Sequence, residues 1–167
     1  MSTTMRVILG PGAFGKAEAI SVYVEGLRSR GIETRAVDLP RGRAERAAEV
    51  FIALAAPDVV AGGHSFGGRA ASLAASEAGF AGLVLFGFPL AGKAGERTSH
   101  FPRVRCPVLV LNGEDDELSP IDVLRQKVTL LPNGRLVSFP RSGHQLEGAL
   151  DEALDIAAAF VRNLGAR

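Results

Sequence analysis

Short runs that are apolar at nearly every position alternate along this chain with longer stretches whose apolar residues recur at helical spacing. That alternation leaves few folds open. A strand with one wet face shows polar and apolar residues in turn, but Gly82-Leu83-Val84-Leu85-Phe86 and the Val108 to Leu111 centre of Pro107 to Asn112 have no polar side to show. Such strands are covered on both faces, as in parallel sheets whose crossovers are helices. Arg6-Val7-Ile8-Leu9, stopped by Gly10-Pro11-Gly12, is a shorter run of the same kind. Asp58 to Gly62, Glu33 to Leu39 and Arg135 to Phe139 complete six predicted strands.

Helices are predicted between them. Ala17 to Arg30 carries Ile20, Val24 and Leu27 on one face before Gly31 stops it, and Arg43 to Ala55 carries Val50, Phe51 and Leu54. Arg69 to Ala78 ends at Gly79, Ser119-Pro120 opens a helix to about Leu131, and Glu147 to Leu164 closes the chain. Strands separated mostly by helices predict a three-layer α/β/α sandwich around a mostly parallel six-stranded sheet. No repeat, low-complexity tract or linker divides the 167 residues, so one domain spanning 1–167 is expected.

Nineteen basic against eighteen acidic residues leave a net charge of +1 and no electrostatic reason to expect nucleic acid. The lone Cys106 excludes an intramolecular disulfide, and no Cys/His spacing suggests a metal. The first residues lack a signal-peptide apolar region, and the apolar runs are too short to span a bilayer. A soluble cytoplasmic protein with a small-molecule substrate, monomer or homodimer, is the expectation.

The chemistry gathers at Gly63-His64-Ser65-Phe66-Gly67-Gly68, between a predicted strand and a predicted helix. Strand, glycine turn bearing a serine, then helix is the setting of a nucleophile elbow. Gly63 and Gly67 stand where a Cβ would strike a crossing strand or helix. Ligands of such sheets bind beyond the carboxyl ends of the strands, so partners of Ser65 should lie there too. A serine needs a base oriented by an acid. Of the three histidines, His64 adjoins Ser65 in the turn and its side chain should project elsewhere, and His100 lies in an irregular segment between two strands. His144 directly follows the last strand on a glycine-containing loop, the position required. Four acids, Glu114 to Glu117, follow the strand ending at Asn112; spacing favours Asp116, with Asp115 as the alternative. Two N–H groups should form an oxyanion hole: Phe66 at the helix start, and Ala13, or else Phe14, from the loop after the first strand. Arg69 stands near a helix N-terminus, where a cation is disfavoured, so either a structural ion pair or a substrate carboxylate should compensate it.

Together, the Gly63 to Gly68 turn, Asn112-Gly113-Glu114-Asp115-Asp116 with Pro120, and Ser142-Gly143-His144 resemble the α/β-hydrolase superfamily. Gly67-Gly68-Arg69, Phe88-Pro89-Leu90 and Arg97-Thr98-Ser99-His100 are similar to blocks of its small, cap-less dienelactone-hydrolase-like branch, including relatives of the testis-expressed proteins. The resemblance implies a minimal hydrolase fold without a lid, a Ser65–Asp116–His144 triad, no cofactor, and hydrolysis of a small ester or thioester. By position, Arg97 and His100, in a short segment without helical pattern between two strands where larger hydrolases insert a lid, are candidate substrate-binding residues on an open rim, and Arg69 at its helix start is a third candidate. Two features depart from the branch. Pro11-Gly12 stands where many relatives have histidine-glycine, and the first two strands usual in larger hydrolases are not expected here; dienelactone hydrolase itself carries cysteine where this chain has Ser65, so that particular activity is not implied. A non-catalytic binding or scaffold module, and a lyase or perhydrolase on the same site, are the alternatives.

Overall fold

The computed structural model describes residues 2–13 and 16–167. Its strands are β1 (Arg6–Gly10), β2 (Glu33–Ala36), β3 (Val59–His64), β4 (Gly82–Phe86), β5 (Val108–Gly113) and β6 (Gly134–Phe139). Its α-helices are α1 (Ser21–Arg28), α2 (Ala44–Ile52), α3 (Phe66–Ala75), α4 (Ala94–Thr98), α5 (Ile121–Val128) and α6 (Leu150–Gly165). The strands form one sheet in the order β2-β1-β3-β4-β5-β6, and all five pairings are parallel.

The apolar strands are covered twice, as their composition requires. Ile8, Ala61, Leu83, Leu85, Val108 and Val110 face α2, α3 and α5 through Phe51, Ala70, Ala74 and Leu124. Their neighbours Val7, Leu9, Val60, Val84, Leu109 and Leu111 face α1 and α6 through Val24, Leu27, Leu154 and Val161. The period of two along each strand therefore sorts side chains between two cores rather than between core and water.

Several predicted boundaries move. Residues Ala17–Ile20 are a 3-10 turn, and the α-helix starts at Ser21. β2 stops at Ala36, although Val37 N–H still reaches the Leu9 carbonyl at 3.0 Å and Leu39 is buried. α3 begins at Phe66, not Arg69, because the turn glycines are themselves helical. α6 begins at Leu150, since Leu146 and Ala149 N–H bond back to Gly143 and Leu146 carbonyls in a separate turn. The segment expected to lack helix holds α4 and a 3-10 turn at Phe101–Arg103. One helical turn is too short to display a period, and the burial of Thr98, His100 and Phe101 depends on distant partners. Among the described residues no helix is long and apolar enough to cross a membrane.

The chain runs from β1 to β2 in one direction and then returns to lay β3 on the other side of β1. That reversal opens a crevice beyond the carboxyl ends of β1 and β3, where Gly10 pairs with Gly63.

Candidate active site

Ser65 stands between the last residue of β3 and the first of α3 with φ 53° and ψ −118°. For a residue with a Cβ this backbone is strained by about 1–3 kcal/mol. Surrounding bonds impose it: Ser65 N–H donates to the Phe86 carbonyl at 3.0 Å, and its own carbonyl accepts the Arg69 N–H at 3.1 Å. A Cβ on Gly63 or on Gly67 would collide with the Gly10 carbonyl. The obstacle is thus the end of the neighbouring strand β1. Glycine at both positions lets the elbow close onto it.

The acid comes from the turn after β5. Asp116 has a side chain that is 0% exposed, and His144 Nδ1–H donates to its Oδ2 at 2.8 Å. Oδ1 accepts the Leu118 N–H at 2.9 Å, and the Asn112 amide donates to Oδ2 at 3.3 Å. Asn112, fully buried, also accepts the Phe88 N–H at 2.9 Å and so joins the acid to the loop beyond β4. Asp115 points to solvent, and Glu114 is taken up by Ser138 at 2.9 Å. The structure therefore separates acids that spacing alone left as alternatives.

His144 sits on the loop after β6 with 20% of its side chain exposed. Because Nδ1 donates to a carboxylate, Nε2 is left free to accept a proton. Four contacts hold the loop. Ser142 Oγ donates to the Glu147 carbonyl at 3.0 Å, and Gly143 N–H to Glu147 Oε2 at 2.9 Å. Asp115 N–H reaches the Ser142 carbonyl at 2.9 Å, and His64 Nε2–H reaches the His144 carbonyl at 2.8 Å. Backbone N–H groups of Glu147 and Gly143 hold the Glu147 carboxyl below its ordinary range, with a smaller contribution from His144.

His64 is buried. It stacks on Tyr23 at 5.6 Å between centroids and lies 4.7 Å from the His144 ring. Burial lowers its pKa, so the neutral ring donates from Nε2. Its side chain does leave Ser65, but it goes beneath the His144 loop.

Phe66 is the first residue of α3, so its N–H has no intrahelical acceptor, and it has no other hydrogen-bond partner among the described residues. Ala13 is exposed in the turn after β1, and a Cβ on the adjoining Gly12 would lie 3.9 Å from His64 Nδ1. Phe14 lies outside the described residues. Ser65 Oγ has no hydrogen-bond partner among the described residues; in unliganded sites the nucleophile–base contact often tightens only with substrate.

The α/β-hydrolase domain family matches residues 22–162. The chain belongs to this family. This α/β-hydrolase is also 28% identical over 97 residues to a bifunctional esterase/perhydrolase of Acinetobacter calcoaceticus, covering 57% of this chain and 33% of that protein. It thus spans about a third of the length of that curated relative. Among solved structures, Est1E of Butyrivibrio proteoclasticus superposes with a TM-score of 0.82 at 17% identity, over 100% of this chain and 90% of that one. A dienelactone hydrolase of Anabaena variabilis gives a TM-score of 0.76 at 23% identity, over 97% and 85% of the two chains. These likenesses show the fold.

The rim of the hydrolase differs from expectation in two places. His100 is buried, and its Nε2 is bonded to Ser72 Oγ at 2.8 Å. Ser72 Oγ donates to the Arg69 carbonyl, so the His100 ring supplies the N–H between them. Burial, with Arg103 and Arg69 nearby, pushes His100 down to about 4. As a substrate-binding candidate it is therefore corrected to a packing residue behind the rim. The structural ion pair considered for Arg69 is absent among the described residues.

Sequence reasoning also passed over Asn112, His64 and Glu147. A polar residue ending an all-apolar buried strand was a usable signal for Asn112. Nothing local announced the other two, whose partners are distant in the chain. A surface hollow of about 500 Å³ lined by Glu77, Arg103, Arg105 and Cys106 lies at the opposite, amino end of the strands. Burial there pushes the Cys106 thiol up to about 11, away from reactive thiolate.

Proposed function

We propose that this α/β-hydrolase is a serine esterase cleaving small carboxylic esters or thioesters by acyl transfer through a Ser65–His144–Asp116 catalytic triad. The observation that carries the reading is the 2.8 Å bond from His144 Nδ1 to the buried Asp116 carboxylate, on a loop beside the strained Ser65 turn. Ser65 Oγ attacks the carbonyl carbon as His144 Nε2 takes its proton, and the imidazolium so formed is stabilised by Asp116. The Phe66 N–H, with Ala13 as second donor, holds the oxyanion at the start of α3. Collapse of the tetrahedral intermediate expels the alcohol or thiol, protonated by His144. Water, deprotonated by His144, then attacks the acyl-enzyme and regenerates Ser65. Only short α4 and a 3-10 turn occupy the segment between β4 and β5, so the site opens to small or protruding acyl groups.

A second reading keeps the acyl-enzyme and replaces water with hydrogen peroxide. It is favoured by the likeness to the Acinetobacter esterase/perhydrolase. The two are distinguished by whether added peroxide diverts product from acid to peracid.

A fluorophosphonate probe tests the shared step. Wild-type protein should be labelled stoichiometrically and Ser65→Ala not at all. A folded wild-type protein that stays unlabelled would leave a binding or scaffold module as the reading, and equal labelling of Ser65→Ala would place the nucleophile elsewhere.

A further inference from the structure

Arg69 lies one helical turn beyond Ser65, with its N–H on the Ser65 carbonyl at 3.1 Å. Arg69 and Ser72 share a face of α3, and helical side chains lean towards the N-terminus, the end at which Ser65 stands. The segment after α4 covers that face, as the Ser72–His100 bond of 2.8 Å shows. α4 carries Arg97, whose Nη1–H donates to the Pro89 carbonyl at 2.9 Å. Pro89 follows shortly after Phe86, the residue that accepts the Ser65 N–H. The Arg97 guanidinium is thus anchored to the loop that follows the strand end holding the Ser65 N–H.

Neither guanidinium has a carboxylate partner among the described residues, and both residues are only partly exposed. Arg6, Arg30, Arg43 and Arg125 elsewhere each reach one. Burial and then Arg97 act against the Arg69 charge, ahead of the smaller support of Glu45 and Glu96. His100 behind them is neutral and supplies no anion. Two partly desolvated cations with no ion-paired carboxylate among the described residues are better satisfied when a bound anion completes them. The leaving group must lie towards His144, which protonates it, and the acyl portion then extends towards α3 and α4.

We propose that Arg69 and Arg97 form an anion subsite beside Ser65, and that the preferred substrates are esters or thioesters whose short acyl chain ends in a carboxylate. This rests on the ester-hydrolase reading of Ser65. The guanidiniums bind the distal carboxylate and so hold the carbonyl at the nucleophile.

Binding to the Ser65→Ala protein separates the subsite from the chemistry, which fluorophosphonate labelling tests by itself. Monomethyl succinate and dimethyl succinate are titrated by NMR. The monoester should bind at least about tenfold more tightly, with the preference shrinking as salt is raised. Arg69→Gln or Arg97→Gln in the same background should bring the ratio of the two affinities towards one, with folding checked by circular dichroism. Failure of the monoester to bind, equal binding of the two esters, or a preference kept in both arginine variants overturns the proposal. In protein with Ser65 intact, the ratio of kcat/KM for the same two esters should fall in the arginine variants in the same order.

Discussion

On the β5 and β6 side of the site, Asp116, His144, Asn112, Ser142 and Gly143 are tied to one another or to nearby backbone. On the α3 and α4 side, the Arg69 guanidinium has no hydrogen-bond or ion-pair partner among the described residues, and that of Arg97 has only a carbonyl. One wall is completed by its own bonds, and the other is where we propose that a substrate carboxylate completes the charge. Groups that must act on every substrate gain from fixed geometry, because reorganisation during reaction then costs little. Groups that select a substrate gain from being incomplete without it.

The largest test strikes the finished wall. Asp116→Asn keeps the shape but offers an amide to His144 Nδ1, favouring the wrong tautomer. It should lower kcat by about 10³–10⁴ with a small change in KM. Near-normal kcat with an ester substrate would mean that this wall, however well bonded, is not the catalytic one.

A smaller effect is expected from the His64 contact, which supports the His144 loop without touching substrate. His64→Phe keeps the ring and its stacking but leaves the His144 carbonyl without its N–H donor, a loss of about 1 kcal/mol. Carried in full to the transition state, that is a fall in kcat of roughly fivefold with KM little changed. A fall in thermal stability with kcat preserved would assign His64 to packing alone.

A test of stability rather than of rate sharpens the charge count of the other wall. His100 stays neutral in the folded chain down to about 4, against an ordinary 6.5 when unfolded. Below pH 6.5 the unfolded chain takes up a proton that the folded chain refuses. Stability therefore declines as pH falls from 6.5 towards 4 and levels off beneath, by on the order of 3 kcal/mol. Urea unfolding at pH 7 and pH 4.5 should show a smaller decline in His100→Asn than in wild type. Equal declines would mean that His100 titrates normally and adds a third cation to the arginine pair.

The chain itself determined everything that depends on near neighbours. Strands apolar on both faces demanded helical crossovers, and the glycines around Ser65 marked where one backbone presses on another. Placing the acid and histidine just beyond later strands needed only the rule that parallel strands end on one side. Tertiary structure decided matters in which two distant segments compete for one place. It turned Asp116 inward and Asp115 outward, because Asn112 and Leu118 N–H claim one carboxylate while the backbone of Asp115 is taken by Ser142. It set His64 beneath His144 and hid His100 against Ser72. It also left the Arg69 guanidinium without an ion pair among the described residues, which no local pattern could reveal, since ion pairing is a property of everything packed around a charge.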